Sequence, residues 1–179
     1  MRRIARWFRF PAFAAAFATA SLAAQTVSLR HDLLMDWTSQ KDTMMKAADA
    51  MPAAMYGYKS TPAQRTFGEQ VLHVAEANVI QLGRLGSKVA PPPVNMRAAA
   101  KPEILKILSD SFDYGRAVLE EQTDQSLLLQ ADESRFSFGG PSTRARVVFF
   151  VIGHTWDIYG QMVVYLRLNG IVPPASRRP

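Results

Sequence analysis

The chemistry open to this sequence rests on three histidines, His31, His73 and His154. His154 opens the stretch Gly153-His-Thr-Trp-Asp-Ile-Tyr-Gly-Gln161, in which Asp157 follows at i+3 and so shares its side of a helix. At i+4, where a second ligand on that face would stand, the residue is Ile158. His73 lies in a different apolar segment. Two histidines from different helices can converge inside a bundle and hold a metal, or can be buried side chains with a packing role. Residue types leave both readings open. The chain has no cysteine, so thiolate ligands and disulfides are excluded. No H-E-x-x-H, P-loop, G-x-S-x-G or G-x-G-x-x-G pattern is present, and no nucleophile partners the histidines.

Four segments of helical period must position these groups. The first, about Ser28 to Ala50, lines up Leu29, Leu33, Trp37, Met44 and Ala48. The second begins near Thr66, where Thr66-Phe-Gly-Glu69 fits a capping box, and runs through His73 toward Gly86. A third, about Pro102 to Gln122, spaces Ile104, Leu108, Phe112, Gly115 and Leu119 by four and three. The fourth, about Thr143 to Leu168, carries His154 and is stopped by Gly170 and Pro173-Pro174. Helices of this size, about 30 Å long, predict an all-α four-helix bundle. Between the second and third, Ser87 to Ala100 includes Pro91-Pro92-Pro93 and spans roughly 45 Å when extended. That reach allows a crossover along the whole bundle, so sequence neighbours need not be antiparallel. Thr123 to Ser142 reads as a longer, mostly irregular connection.

The formal charge of +6 is concentrated at the N-terminus. Of 21 Lys and Arg, four (Arg2, Arg3, Arg6 and Arg9) lie in the leader, leaving 17 against 15 acidic side chains. A basic groove for nucleic acid is therefore not indicated. The Arg-rich start, the run "FPAFAAAFATASLAA" and the small residues of Ser21-Leu22-Ala23 read as a signal peptide over residues 1–23, with the domain over 24–179. The expected location is the bacterial periplasm or the exterior, with no stable membrane span after cleavage. Partners reduce to an unidentified small molecule, with a homodimer left open.

Four stretches in order give the chain a family resemblance. They are "AMPAAMYGYKSTPAQRTFGEQVLHVAEAN" from Ala50, "KPEILKILSDSFDYG" from Lys101, "FGG" from Phe138, and "GHTWDIYGQMVVYLRLNGIVPPASR" from Gly153. Together they resemble the DinB-like superfamily of bacterial four-helix bundles. The resemblance implies an up-down-down-up topology and a divalent transition metal, zinc, nickel or similar, held by three histidines. It also implies metal-dependent hydrolase or thiol-dependent transferase activity. His73 and His154 match the first two ligands; the third falls on Ile158, which has no donor atom.

Asp157 is the nearest replacement, since two imidazoles and a carboxylate form a common metal-binding set. It lies about 60° to one side of His154, however, while position 158 lies about 40° to the other. Glu69 and Glu76 flank His73 at i−4 and i+3, although the capping box already accounts for Glu69. Trp37, Glu76, Trp156, Tyr159 and Gln161 are expected to line a pocket, Gly160 to permit close helix contact, and His31 to be solvated. Two functions follow: a metal-dependent enzyme with a degenerate three-histidine site, or a metal-free bundle that binds a small molecule or a partner.

Overall fold

In the computed structural model, which describes residues 27–132 and 140–177, the elements form where the apolar periods lie. Helix α1 spans Leu29–Ala50, α2 Phe67–Leu82, α3 Lys101–Glu120, α4 a single turn Asp124–Leu127, and α5 Arg144–Leu168. Among the described residues there is no strand, only an isolated antiparallel bridge between Gln130 and Thr143. The leader and most of the "FGG" stretch lie outside the described residues.

Local chemistry sets the helix ends. Ser28 and Thr143 cap α1 and α5 through their hydroxyls, which accept from the backbone N–H groups of His31 and Arg146. Thr66 and Glu69 complete the expected capping box at α2. Helix α2 stops at Leu82, short of the expected Gly86, because a 3-10 turn over Gly83–Leu85 tightens its end and Gly86 takes φ 70°. Gly170, at φ 71°, ends α5 in the left-handed conformation, with its N–H on the Arg167 carbonyl.

Helix α1 packs on α3 and α5, and α2 packs on the same two from the opposite corner. Directions follow from cross-helix bonds. Lys101 at the start of α3 pairs with Asp49 at the end of α1, so these helices are antiparallel. Gly68 lies against Ile104 and Asn78 bonds Ser111, so α2 and α3 are parallel. Gln70 meets Gln161 and the Tyr165 hydroxyl donates to the Arg65 carbonyl, so α2 and α5 are antiparallel. The bundle is up-down-down-up, with residues 86–100 crossing its length between the two down helices.

The core runs through Leu33, Met44, Phe67, Leu72, Leu108, Phe112, Val151 and Met162. Trp37 is 1% exposed, and its indole donates to the Phe112 carbonyl at 2.9 Å. Gly115 opposite is a packing glycine: a Cβ there would fall 2.3 Å from the Trp37 ring. Gly153 and Gly160 in α5 differ: a Cβ built on either meets nothing within 4 Å, so the expected close contact at Gly160 is not made within the bundle. Of the five methionines of the first segment and its loop, Met44 and Met51 are buried in this core, Met45 and Met55 pack against it, and Met35 is exposed.

Candidate functional site

The antiparallel pairing of α2 and α5 builds a ladder of side chains along their seam. Arg65 and Tyr165 form one rung, Gln70 and Gln161 the next, and His73 and His154 the third. The two imidazoles stand edge to face, with ring centroids 5.0 Å apart and planes at 89°. Phe150, one turn before His154, stacks parallel to it at 6.0 Å. Both histidines are half-buried, and their ring nitrogens have no hydrogen-bond partner among the described residues.

Burial pushes the His73 imidazolium below its ordinary range, helped by the charges of Arg65 and His154. His154 is pushed down by burial as well; Asp157 opposes this and Arg65 reinforces it. Both rings are therefore neutral near pH 7, the state in which imidazole accepts a proton or ligates a metal.

At the position where the resemblance implies a third ligand stands Ile158, which has no donor atom. Ile158 is 2% exposed and belongs to the apolar core. Asp157 is exposed and accepts from Gln161 Nε2 at 3.2 Å. Glu69 is committed to the Thr66 N–H at 2.7 Å. Glu76 is half-buried, with no hydrogen bond or ion pair among the described residues. No group of three or more His, Asp or Glu side chains among the described residues could hold a metal ion. Two imidazoles on one ion, with metal–nitrogen bonds of about 2.1 Å, would have centroids roughly 5 Å apart. The spacing of the pair is within that range, but a three-ligand centre does not fit these residues.

Other expected site residues separate from the pair. Trp37 sits in the α1–α3 interface, so it is a core residue and not a pocket wall. Trp156 is 41% exposed on the outer side of α5, edge to face with Tyr159 at 5.5 Å. His31 is exposed near the start of α1. Gln161 does belong to the seam: it donates to Asp157 and accepts from Gln70 Nε2 at 2.9 Å.

Sequence reasoning passes over two members of the seam, Gln70 and Phe150. Gln70 is fully buried, and its Oε1 has no hydrogen-bond partner among the described residues. Its place at i−3 from His73, and Phe150 at i−4 from His154, are the signals that could have found them.

The DinB family model matches residues 24–178. The chain belongs to the DinB family. Solved structures share the fold. A DinB-like protein of Bacillus cereus is 22% identical with a TM-score of 0.70, covering 80% of this chain and 95% of its own. The DinB-like protein YjoA of Bacillus subtilis is 19% identical at a TM-score of 0.65, covering 83% and 99%. YfiT of Bacillus subtilis is 14% identical at 0.62, covering 83% and 93%; it is described as a probable metal-dependent hydrolase with an unusual four-helix bundle topology. No curated protein matches this chain. Within the DinB frame the four-helix expectation holds, and so does the long crossover.

Proposed function

We propose that this DinB-family protein is exported and binds a small molecule at the α2–α5 seam, through the neutral imidazoles of His73 and His154, without a stably held metal. The observation that carries the reading is Ile158. A buried aliphatic side chain stands where the resemblance requires the third donor, and Asp157 faces Gln161 instead. Two imidazoles bind a divalent ion far more weakly than the three protein ligands of a catalytic centre. Neutral rings in a half-buried seam are suited to exchanging hydrogen bonds with a polar ligand while Phe150 packs on its apolar part.

A second reading, a metal-dependent hydrolase or transferase, is favoured by the 5.0 Å ring spacing and by the description of YfiT. It requires the remaining donor to come from Asp157 after a rearrangement, or from the substrate itself.

Metal analysis of the purified protein separates the two. The expected result is substoichiometric metal in the wild type and about one tightly bound ion per chain in Ile158→His, whose new imidazole completes a three-ligand set. Stoichiometric metal in the wild type, lost in both His73→Ala and Asp157→Ala, would overturn the metal-free reading.

A further inference from the structure

The loop between α1 and α2 and the last residues of the crossover leave a cleft beside the starts of α2 and α3. It consists of two open hollows of about 390 Å³ and about 370 Å³, each in the size range of small-molecule sites. Glu69 and Met96 line both, so the two are continuous. Arg97 lines the first hollow, and Lys59 and Arg65 line the second. Lys59, Arg65 and Arg97 have no ion pair and no side-chain hydrogen bond among the described residues. Lys41, Lys46, Lys101, Lys106 and Arg116, by contrast, each pair with a carboxylate. The acidic side chains near the cleft are engaged. Glu69 accepts from the Thr66 N–H, Asp49 pairs with Lys101, and Glu103 accepts from Asn95 Nδ2. Three cations against one carboxylate give the cleft a net +2. Residues 24–179 as a whole carry 17 basic against 15 acidic side chains, so the other charges, 14 of each sign, cancel. The excess positive charge of the domain therefore sits in this one concave place.

We propose that this cleft binds a small organic oxyanion, a carboxylate or phosphate group on an apolar body, at a site separate from the histidine seam. Guanidinium groups pair with either oxyanion through two parallel hydrogen bonds, and the Lys59 ammonium adds a point charge. Like charges lining a concave wall focus their field and draw an anion in. The apolar body has its own place in the first hollow, against Tyr56, Met96 and Ile104. Met96 is 40% exposed, and its flexible thioether adapts to the shape of what covers it. The Tyr56 hydroxyl is already spent on the Ala48 carbonyl at 2.7 Å, so its ring offers apolar contact. Neither His73 nor His154 lines the cleft, and the site stands whether or not the seam holds a ligand.

Calorimetric titration of the purified protein with phenyl phosphate, benzoate and inorganic phosphate tests the site. Phenyl phosphate or benzoate should bind saturably with a Kd below about 1 mM, and more tightly than inorganic phosphate because the ring is buried. Tighter phenyl phosphate assigns a phosphate ligand and tighter benzoate a carboxylate; either result supports the site. Arg65→Gln and Arg97→Gln should each weaken binding about tenfold or more. Both side chains are exposed and lose no contact, so the helical spectrum should stay unchanged. Glu69→Gln keeps a side-chain oxygen for the capping box and removes the one repelling charge, so binding should tighten about threefold. His73→Gln/His154→Gln should bind as the wild type does. No saturable binding of any probe up to about 10 mM overturns the proposal, as does binding that survives both arginine changes. Weaker binding in Glu69→Gln overturns the assignment of an anion. Binding lost in His73→Gln/His154→Gln and kept in Arg97→Gln would move the anion to the seam and overturn a separate site.

Discussion

His73 and His154 stand edge to face at 5.0 Å, one from each of two antiparallel helices, and Ile158, one turn on from His154, is buried in the apolar core. The pair is neutral and half-buried, and Arg65 helps to hold both rings below the ordinary histidine range.

That depression makes stability depend on pH. Both folded-state values lie below the unfolded value of about 6.5. Between the two, the unfolded chain binds more protons than the native one, so stability rises with pH through that window and levels off above it. Urea unfolding from pH 5 to 8 should show this rise, and a His73→Gln/His154→Gln variant should flatten it. A wild-type curve that falls with pH over the window would contradict the neutral pair.

Gly115→Ala should destabilise the bundle by about 1–3 kcal/mol, the usual cost of overpacking. Its Cβ would lie 2.3 Å from Trp37 Cζ2 and 2.5 Å from Leu82 Cδ1, and neither can retreat through a closed core. In a Trp37→Phe background the same change should cost less, which a double-mutant cycle of denaturant midpoints measures.

Removing the side-chain cap of α2 should cost about 1 kcal/mol in Thr66→Ala. The Thr66 hydroxyl and the Glu69 carboxylate satisfy each other's backbone N–H groups. Glu69 is correspondingly held below the ordinary carboxylate range by its bonds to Thr66. The contribution should be present above the ordinary carboxylate range and fade as pH falls through the lowered value. Thermal melts at two pH values would show it.

Gln161→Ala should destabilise by about 1–3 kcal/mol, because it strips the buried Gln70 amide of its protein partner. Gln70 Nε2 bonds Gln161 Oε1, and Gln70 Oε1 has no partner among the described residues. Adding Gln70→Leu to Gln161→Ala should recover much of the loss. A double variant no more stable than Gln161→Ala would refute the account of Gln70 as an amide dependent on Gln161.

Much of this architecture is legible in the chain because it is local. Apolar spacings set the four long helices; Thr66 with Glu69, Gly170 and the proline run set ends and crossover, each through interactions a few residues apart. Even the absence of a donor at position 158 needs only the family pattern. Local rules could not say which faces meet, since a helical stripe names an apolar side without naming its neighbour. Only the packed bundle puts Trp37 against Phe112 and away from the histidines, turns Asp157 toward Gln161, and leaves Trp156 and two glycines facing outward. Those outcomes depend on contacts between residues far apart in the chain, where packing, and not periodicity, selects the partner.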